Sequence, residues 1–295
     1  MVSILLDEEL ANFIGKKGSA NGITFFNRKS GDDVIVVLFP TNPAEKPYGI
    51  AESILVSEQI ILSTKNVDKD LGEAIVAASL SGKKVLFTDD NDVSKLLPQG
   101  TLSDSPVISR DKLLETILAF KADGASDTLR IDIDKAFPVN GVGTVVLGVV
   151  ISGTVKVHDT LHHTSGKECS VRSIQSQDVS VQSAGPGTRV GLAMKGIDHD
   201  EMDKGDVLST SPIRKVGKLT ATVHSSPIAK ESIHEGATYT LASNFSHSVV
   251  KVASISGESV TFDLEKPLPI AKGDGILLMR SQVPRVFASG TVSSV

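Results

Sequence analysis

A chain of 295 residues with 40% hydrophobic and 22% charged side chains has material for two domains or three small ones, and its composition excludes a disordered protein. No run approaches the roughly 18 apolar residues of a membrane span, and Asp7, Glu8 and Glu9 stand where a signal peptide carries positive charge, so the expectation is a cytoplasmic protein with no membrane contact. The net charge of −5 divides into −5 for residues 1–125, −3 for 126–213 and +3 for 214–295, so only the last third has the sign of an RNA-binding surface.

In the first third, residues 33–39 (DVIVVLF), 59–63 (QIILS) and 84–88 (KVLFT) have the β-branched and aromatic character of strands. Asp68 is placed to cap a helix in which Leu71, Ala74, Ile75 and Ala78 recur at helical spacing, and Ser109 to cap another carrying Leu113, Leu114, Ile117 and Leu118. Strands alternating with such helices predict βαβ units, hence a mostly parallel sheet with helices on its faces. Residues 121–127 (KADGASD) are small and polar, like a linker, and no convincing helix pattern follows them.

From Thr128 the chain is rich in Val, Ile, Ser and Thr. Turn signals stand at Asn140-Gly141, Ser152-Gly153, Ser165-Gly166, Gly185-Pro186-Gly187 and Lys204-Gly205-Asp206, a spacing that predicts antiparallel strands. After a second boundary near Ser211-Pro212, strand-like runs resume at 218–223, 238–242, 249–255, 259–264 and 275–279. Segments of this size suit small closed barrels, because closure removes exposed edges. The expected fold is α/β followed by all-β, with an α/β domain at 1–125 and two β-barrels at 126–213 and 214–295.

Candidate chemistry is sparse. His158, His162 and His163 lie close together, but on a strand at most two would share a face, so they read as surface histidines and not as metal ligands. Asp198, Asp200, Glu201, Asp203 and Asp206 lack the spacing of a calcium loop and read as a solvated turn. The single Cys169 excludes an internal disulfide and a thiolate zinc site, and reads as a buried thiol. No Ser/His/Asp or Cys/His arrangement stands out, so no catalytic residue is assigned. A phosphate-binding loop needs G-x-x-x-x-G-K-S/T, because backbone N–H groups cradle phosphate, the Lys reaches its oxygens and the hydroxyl holds Mg²⁺. The nearest string, Gly18-Ser19-Ala20-Asn21-Gly22-Ile23-Thr24, is one residue short and has Ile23 where the Lys belongs. Gly18, Gly22, Ile23 and Thr24 thus form at most a degenerate nucleotide site.

The most specific pattern lies in residues 130–212. Its blocks are Ile133-Asp-Lys-Ala-Phe137, Asn140-Gly-Val-Gly-Thr-Val-Val146, Gly148-Val-Val-Ile-Ser-Gly-Thr-Val-Lys-Val157, Gly187-Thr-Arg-Val-Gly-Leu192, Lys195-Gly-Ile197 and Lys204-Gly-Asp-Val-Leu208. This closely resembles the second-domain β-barrel of the elongation factor Tu group of translational GTPases. Asp134-Lys135 and Arg189 look most like the selenocysteine-specific factors, the SelB group, in which an acidic-basic pair and an arginine help form the aminoacyl pocket. Lys135 stands where that group usually has Arg. Pro267-Leu-Pro269, Lys272-Gly-Asp274, Leu278-Met-Arg280 and Pro284-Arg-Val-Phe-Ala-Ser-Gly-Thr-Val292 resemble the third-domain barrel.

The resemblance places a GTPase domain at residues 1–122. Its P-loop position falls on Gly18 to Thr24. Its D-x-x-G is expected after residues 33–39, where the chain reads Phe39-Pro40-Thr41-Asn42, and its N-K-x-D after residues 84–88, where the chain reads Asp89-Asp90-Asn91-Asp92, an expected solvated helix cap. The short distance from Thr24 to Phe39 leaves no room for the first switch segment. Phosphoryl transfer needs Lys, Mg²⁺ and positioned water together, so the expectation is a pseudo-GTPase without cofactor or metal. The whole chain resembles the SelB-like proteins of archaea that keep the three-domain outline and lack these motifs, and no fourth, mRNA-reading domain is expected.

By the same resemblance the partner is RNA, a tRNA acceptor end or a ribosomal site, bound by the two barrels. Asp134, Lys135 and Arg189 are expected at an aminoacyl pocket, unless Arg189 and Asp134 form a structural pair in the barrel mouth. Arg214, Lys215, Lys218, Arg280 and Arg285 are candidate phosphate contacts or ordinary surface. Two other readings stay open: a divergent GTP-binding factor using Gly18, Gly22 and Thr24, and a protein-interaction module that docks on a translation factor or a second copy of the chain.

Overall fold

A computed structural model describes residues 1–31, 33–41, 46–97, 102–120, 127–229 and 232–295. Domain one contains β1 (Val2–Leu5), α1 (Glu8–Ile14), β2 (Lys16–Ala20), β3 (Ile23–Ser30), β4 (Asp33–Pro40), α2 (Tyr48–Val56), β5 (Gln59–Leu62), α3 (Lys69–Ser79), β6 (Lys84–Thr88), β7 (Val107–Ile108) and α4 (Leu113–Ala119). They build a seven-stranded sheet in the order β2-β3-β4-β1-β5-β6-β7. From β4 to β7 its neighbours run parallel, while β2 and β3 are antiparallel. Strand alternation sends Val2, Ile4, Ile61 and Leu86 to one face, under Leu10 and Ile14 of α1 and Leu113 of α4. It sends Leu5, Ile60, Leu62 and Phe87 to the other, under Ile54 of α2 and Leu71, Ala74 and Ile75 of α3.

Asp68 caps α3 as its position predicts, accepting from the backbone N–H groups of Asp70 and Leu71, a contribution of about 1 kcal/mol. Ser109 instead precedes a 3₁₀ turn, Arg110–Lys112, and makes no side-chain cap bond. The pattern did not reveal α1 or α2. The first has only seven residues, and α2 buries Gly49, Ile50, Ala51, Glu52, Ser53, Ile54 and Val56, so no polar stripe marks it as amphipathic.

Domain two contains β8 (Arg130–Val139), β9 (Gly143–Ser152), β10 (Val155–Lys156), β11 (Thr160–His163), β12 (Glu168–Ser176), β13 (Val179–Val181), β14 (Ser183–Ala184), β15 (Arg189–Lys195) and β16 (Val207–Ser209). A barrel closes in the order β11-β16-β8-β9-β15-β12, with β12 returning to β11. Ile131, Ile133, Val146, Leu161, Val171 and Leu192 fill it. Domain three, with β17 (Lys215–Ser225), β18 (Thr238–Ser243), β19 (Ser246–Ser256), β20 (Ser259–Pro269), β21 (Gly275–Met279) and β22 (Val286–Ser294), closes as β17-β20-β19-β18-β21-β22 around Leu241, Val250, Phe262 and Phe287.

The domains share apolar material. The core under α2 and α3 continues into Ala242, Leu277, Met279 and Val286 of domain three. Phe25 and Leu38 of domain one join Val149 of domain two and Phe245 of domain three in a further cluster. Among the described residues no helix is long and apolar enough to cross a membrane.

Candidate anion site where the three domains meet

Parallel sheets bind ligands at the carboxyl ends of their strands, and a phosphate loop joins such a strand to a helix. In domain one that junction is only Leu6 and Asp7, between β1 and α1. The four residues that the sequence offered as a degenerate nucleotide site are not at this junction. Gly18 is on β2, Gly22 makes the left-handed turn of the β2–β3 hairpin at φ 76°, and Ile23 is buried in an apolar cluster. Thr24 faces Phe39 across the β3–β4 ladder and shares a 2.6 Å hydrogen bond with Thr41. An antiparallel hairpin offers no helix N-terminus, and its N–H groups serve the ladder, so these residues cannot cradle phosphate as a P-loop does.

The crevice itself is filled by the protein. Asp7 Oδ1 accepts from Leu10 N at 2.8 Å, and Oδ2 accepts from Ser63 at 3.1 Å and from Arg110 Nη2 at 2.6 Å. Arg110 also donates to Asp90 at 3.0 Å. Burial pushes the Asp7 carboxyl up, but the Leu10 N–H and the Arg110 guanidinium together hold it below its ordinary value. The Asp89 to Asp92 run is correspondingly more than a solvated cap: Thr88 donates to Asp90 at 2.6 Å, and Asn91 donates to the Thr64 carbonyl at 2.7 Å.

Asp134 and Arg189 do meet, at 2.7 Å, with Asp134 buried and Arg189 at the edge of a hollow of about 420 Å³ between domains one and two that Lys16, Lys17 and Ser19 also line. Arg189 donates to Ser19 of β2 at 2.6 Å, its guanidinium lies 3.9 Å from the centre of the Phe25 ring, and its side chain is 10% exposed. Burial pushes the Asp134 carboxyl above its ordinary value, with Arg189 and Lys204 pulling the other way. Lys135 follows on β8 and is exposed, 5.8 Å from the Phe137 ring centre, so it does not join the pair. Of the histidines, His163 is not on the surface: it is buried 3.3 Å from Asp206. Asp206 is likewise buried and no part of a solvated turn. Burial pushes the Cys169 thiol up to about 11, which leaves little thiolate at neutral pH. Among the described residues no group of three or more His, Cys, Asp or Glu could hold a metal ion.

A second open hollow lies where the three domains meet, with a volume of about 250 Å³. Domain one supplies Lys46, Tyr48 and Glu52, domain two Lys204 and Asp206, and domain three Lys215, His247 and Lys266. Glu52 is fully buried and accepts from Lys204 at 2.6 Å, while its other oxygen lies 2.8 Å from His247 Nδ1. The Tyr48 ring stacks on His247 with centroids 3.9 Å apart. Burial pushes the Asp206 carboxyl up, yet His163 and Lys215, the latter at 2.6 Å, hold it well below the usual carboxylate range. Lys46 and Lys266 are exposed and have no carboxylate partner among the described residues.

Of the five basic residues singled out in the last third, only Lys215 lines this cleft. Arg285 is not a free phosphate contact: it is held by Glu73 of α3 at 2.8 and 2.9 Å, across the seam between domains one and three. Arg280 donates to the Pro284 carbonyl at 3.1 Å and lies beside Phe287, so it braces its own loop. Lys218 stands 3.5 Å from Asp263 on the barrel wall, and Arg214 is exposed outside the cleft lining. Sequence reasoning missed Lys46, Lys204, Lys266 and His247 as a group. Lys204 was visible only as part of a turn, and Lys266 only as the neighbour of Pro267.

Residues 143–209, from β9 to β16, match the family described as elongation factor Tu domain 2. The MJ0325 protein of Methanocaldococcus jannaschii is 28% identical over 282 residues, 92% of each chain. The selenocysteine-specific elongation factor of the same organism is 32% identical over 181 residues, 53% of this chain and 38% of its own length. Elongation factor 1-alpha of Metallosphaera sedula is 28% identical over 197 residues, 65% of this chain and 43% of its own length. The chain thus spans less than half the length of these two elongation factors. Elongation factor SelB from Methanococcus maripaludis, in complex with the GTP analogue GppNHp, superposes with a TM-score of 0.84 at 21% identity, over 99% of this chain and 78% of that one. For its apo form the score is 0.76. An α/β domain followed by two closed barrels, the first of elongation factor Tu type, defines a translation-factor-like protein. The chain is thus similar to elongation factor Tu domain 2 over residues 143–209, to selenocysteine-specific factors in part of its sequence, and to SelB in fold.

Proposed function

We propose that this protein is a translation-factor-like RNA binder that takes the end of an RNA, foremost a tRNA acceptor end, in the three-domain cleft and does so without nucleotide. The observation that carries this reading is the excess of lysine around the cleft, where Lys46, Lys204, Lys215 and Lys266 stand against the carboxylates of Glu52, Asp203 and Asp206. Lys46 and Lys266, without a carboxylate partner among the described residues, stand beside Lys204, Lys215 and His247, an arrangement suited to phosphate oxygens. Independence of GTP is supported by the Asp7 carboxylate, which occupies the α1 N-terminus where a phosphate would sit and would repel it. Selenocysteine-specific and 1-alpha elongation factors among the relatives point to the same class of partner.

Binding of bulk tRNA, charged and deacylated, measured at about 50 and 200 mM salt with and without GTP·Mg²⁺, tests the reading. The expected result is salt-sensitive binding that ignores GTP. In a Lys46→Ala/Lys266→Ala double variant the slope of log K against log salt should shrink by roughly 1.5 to 2. No binding at the lower salt would remove the RNA reading and leave docking on a protein partner in its place.

A further inference from the structure

We infer that Glu52, a carboxylate inside a cation-lined site, is the residue that positions that site; the inference rests on reading the cleft as an RNA-end site. Tyr48 and Glu52 are four residues apart on α2 and therefore share a face, one turn above the other. That face meets both barrels. One Glu52 oxygen takes Lys204 of domain two, the other takes His247 of domain three, and Tyr48 stacks on the same imidazole. The other interdomain ion pairs each join two domains: Arg285 with Glu73, Arg130 with Asp274, Lys215 with Asp206. Among the described residues Glu52 is the one carboxylate whose ion pairs reach all three.

Two arguments about Glu52 predict opposite signs. By charge alone, removing a carboxylate from an anion site strengthens phosphate binding. By geometry, removing it releases the Lys204 ammonium and the His247 ring from their places in the cleft. Lys204 would keep only a 3.5 Å contact with the Asn21 carbonyl and the Phe245 ring, and His247 only its stack on Tyr48. The geometric effect prevails, because Lys204 and His247 sit on separate barrels, and although Ser246 donates to the Gly205 carbonyl at 3.0 Å beside them, among the described residues Glu52 is the carboxylate that holds both side chains in the cleft.

The test is Glu52→Gln in the full chain, read by tRNA affinity at two salt concentrations and by the distance between spin labels placed on the two barrels. The expected result is a loss of affinity of about tenfold or more, a shallower salt dependence, and a longer or broader distance between barrels. Glu52→Asp, which restores the charge on a shorter arm, should fall between Gln and the natural residue. Arg285→Met provides the structural control: it loosens another seam and lowers the melting temperature, but it should leave the salt slope unchanged. Equal or tighter tRNA binding by Glu52→Gln overturns the inference. If the natural chain binds no tRNA, the RNA reading fails, and the label distances still decide the role of Glu52: an unchanged distance overturns it.

Discussion

The crevice after β1, β5 and β6 and the cleft under α2 are both polar, and they differ in where their charge goes. In the crevice Arg110 is divided between Asp7 and Asp90, and Asp7 spends its remaining capacity on Leu10 N–H and Ser63. A network satisfied in this way makes no demand on a ligand. In the cleft Glu52 and Asp206 are each held between two basic groups, and among the described residues Lys46 and Lys266 are left without an ion pair, with Asp203 as the remaining carboxylate of the lining. One domain therefore contributes to a closed polar interior at one edge and to an unsatisfied one at another. Only the second has reason to attract a phosphate.

The largest expected effect lies in stability. Arg110→Ala leaves the buried Asp7 carboxylate without its charged partner and should cost roughly 2–3 kcal/mol in urea unfolding, whereas Lys266→Ala should stay within about 0.5 kcal/mol. Equal costs would erase the comparison. A smaller effect is expected from acid. Asp7 and Asp90 in the crevice and Glu73 at the domain seam are held below their ordinary values. Their contribution is thus complete above about pH 5 and is lost as pH falls through the folded values. Melting temperature should decline from about pH 5 toward pH 2, and less steeply in Arg110→Ala, where the crevice pairs are already gone. The smallest effect is a null shift: GTP·Mg²⁺ should leave the melting temperature of the natural chain unchanged. A saturable rise would show that the crevice opens and would restore the divergent GTP-binding reading.

Local order was legible wherever a repeat or a cap announced it. Asp68 with Leu71, Ala74 and Ile75 marked α3, and the glycine turns marked the antiparallel thirds of the chain. The blocks from Asn140 to Leu208 identified the kind of barrel. The first 56 residues were harder to read. The β2–β3 hairpin was set at the position of a degenerate phosphate loop because two glycines and a threonine carry the same letters in either setting, and α2 lacked a polar stripe because both its sides are covered.

The sequence alone thus determined the domain types and the pairing candidates Asp134 and Arg189, since each is written in neighbouring residues or in a matched block. Tertiary structure alone decided that Arg189 of this pair packs on Ser19 and Phe25, that Arg285 is committed to Glu73, and that Lys46, Lys204, Lys215, Lys266 and His247 surround one hollow. The physical reason is that such convergence follows from burying apolar surface shared between domains. Phe25, Val149 and Phe245 come together in one cluster although more than two hundred residues separate the first from the last.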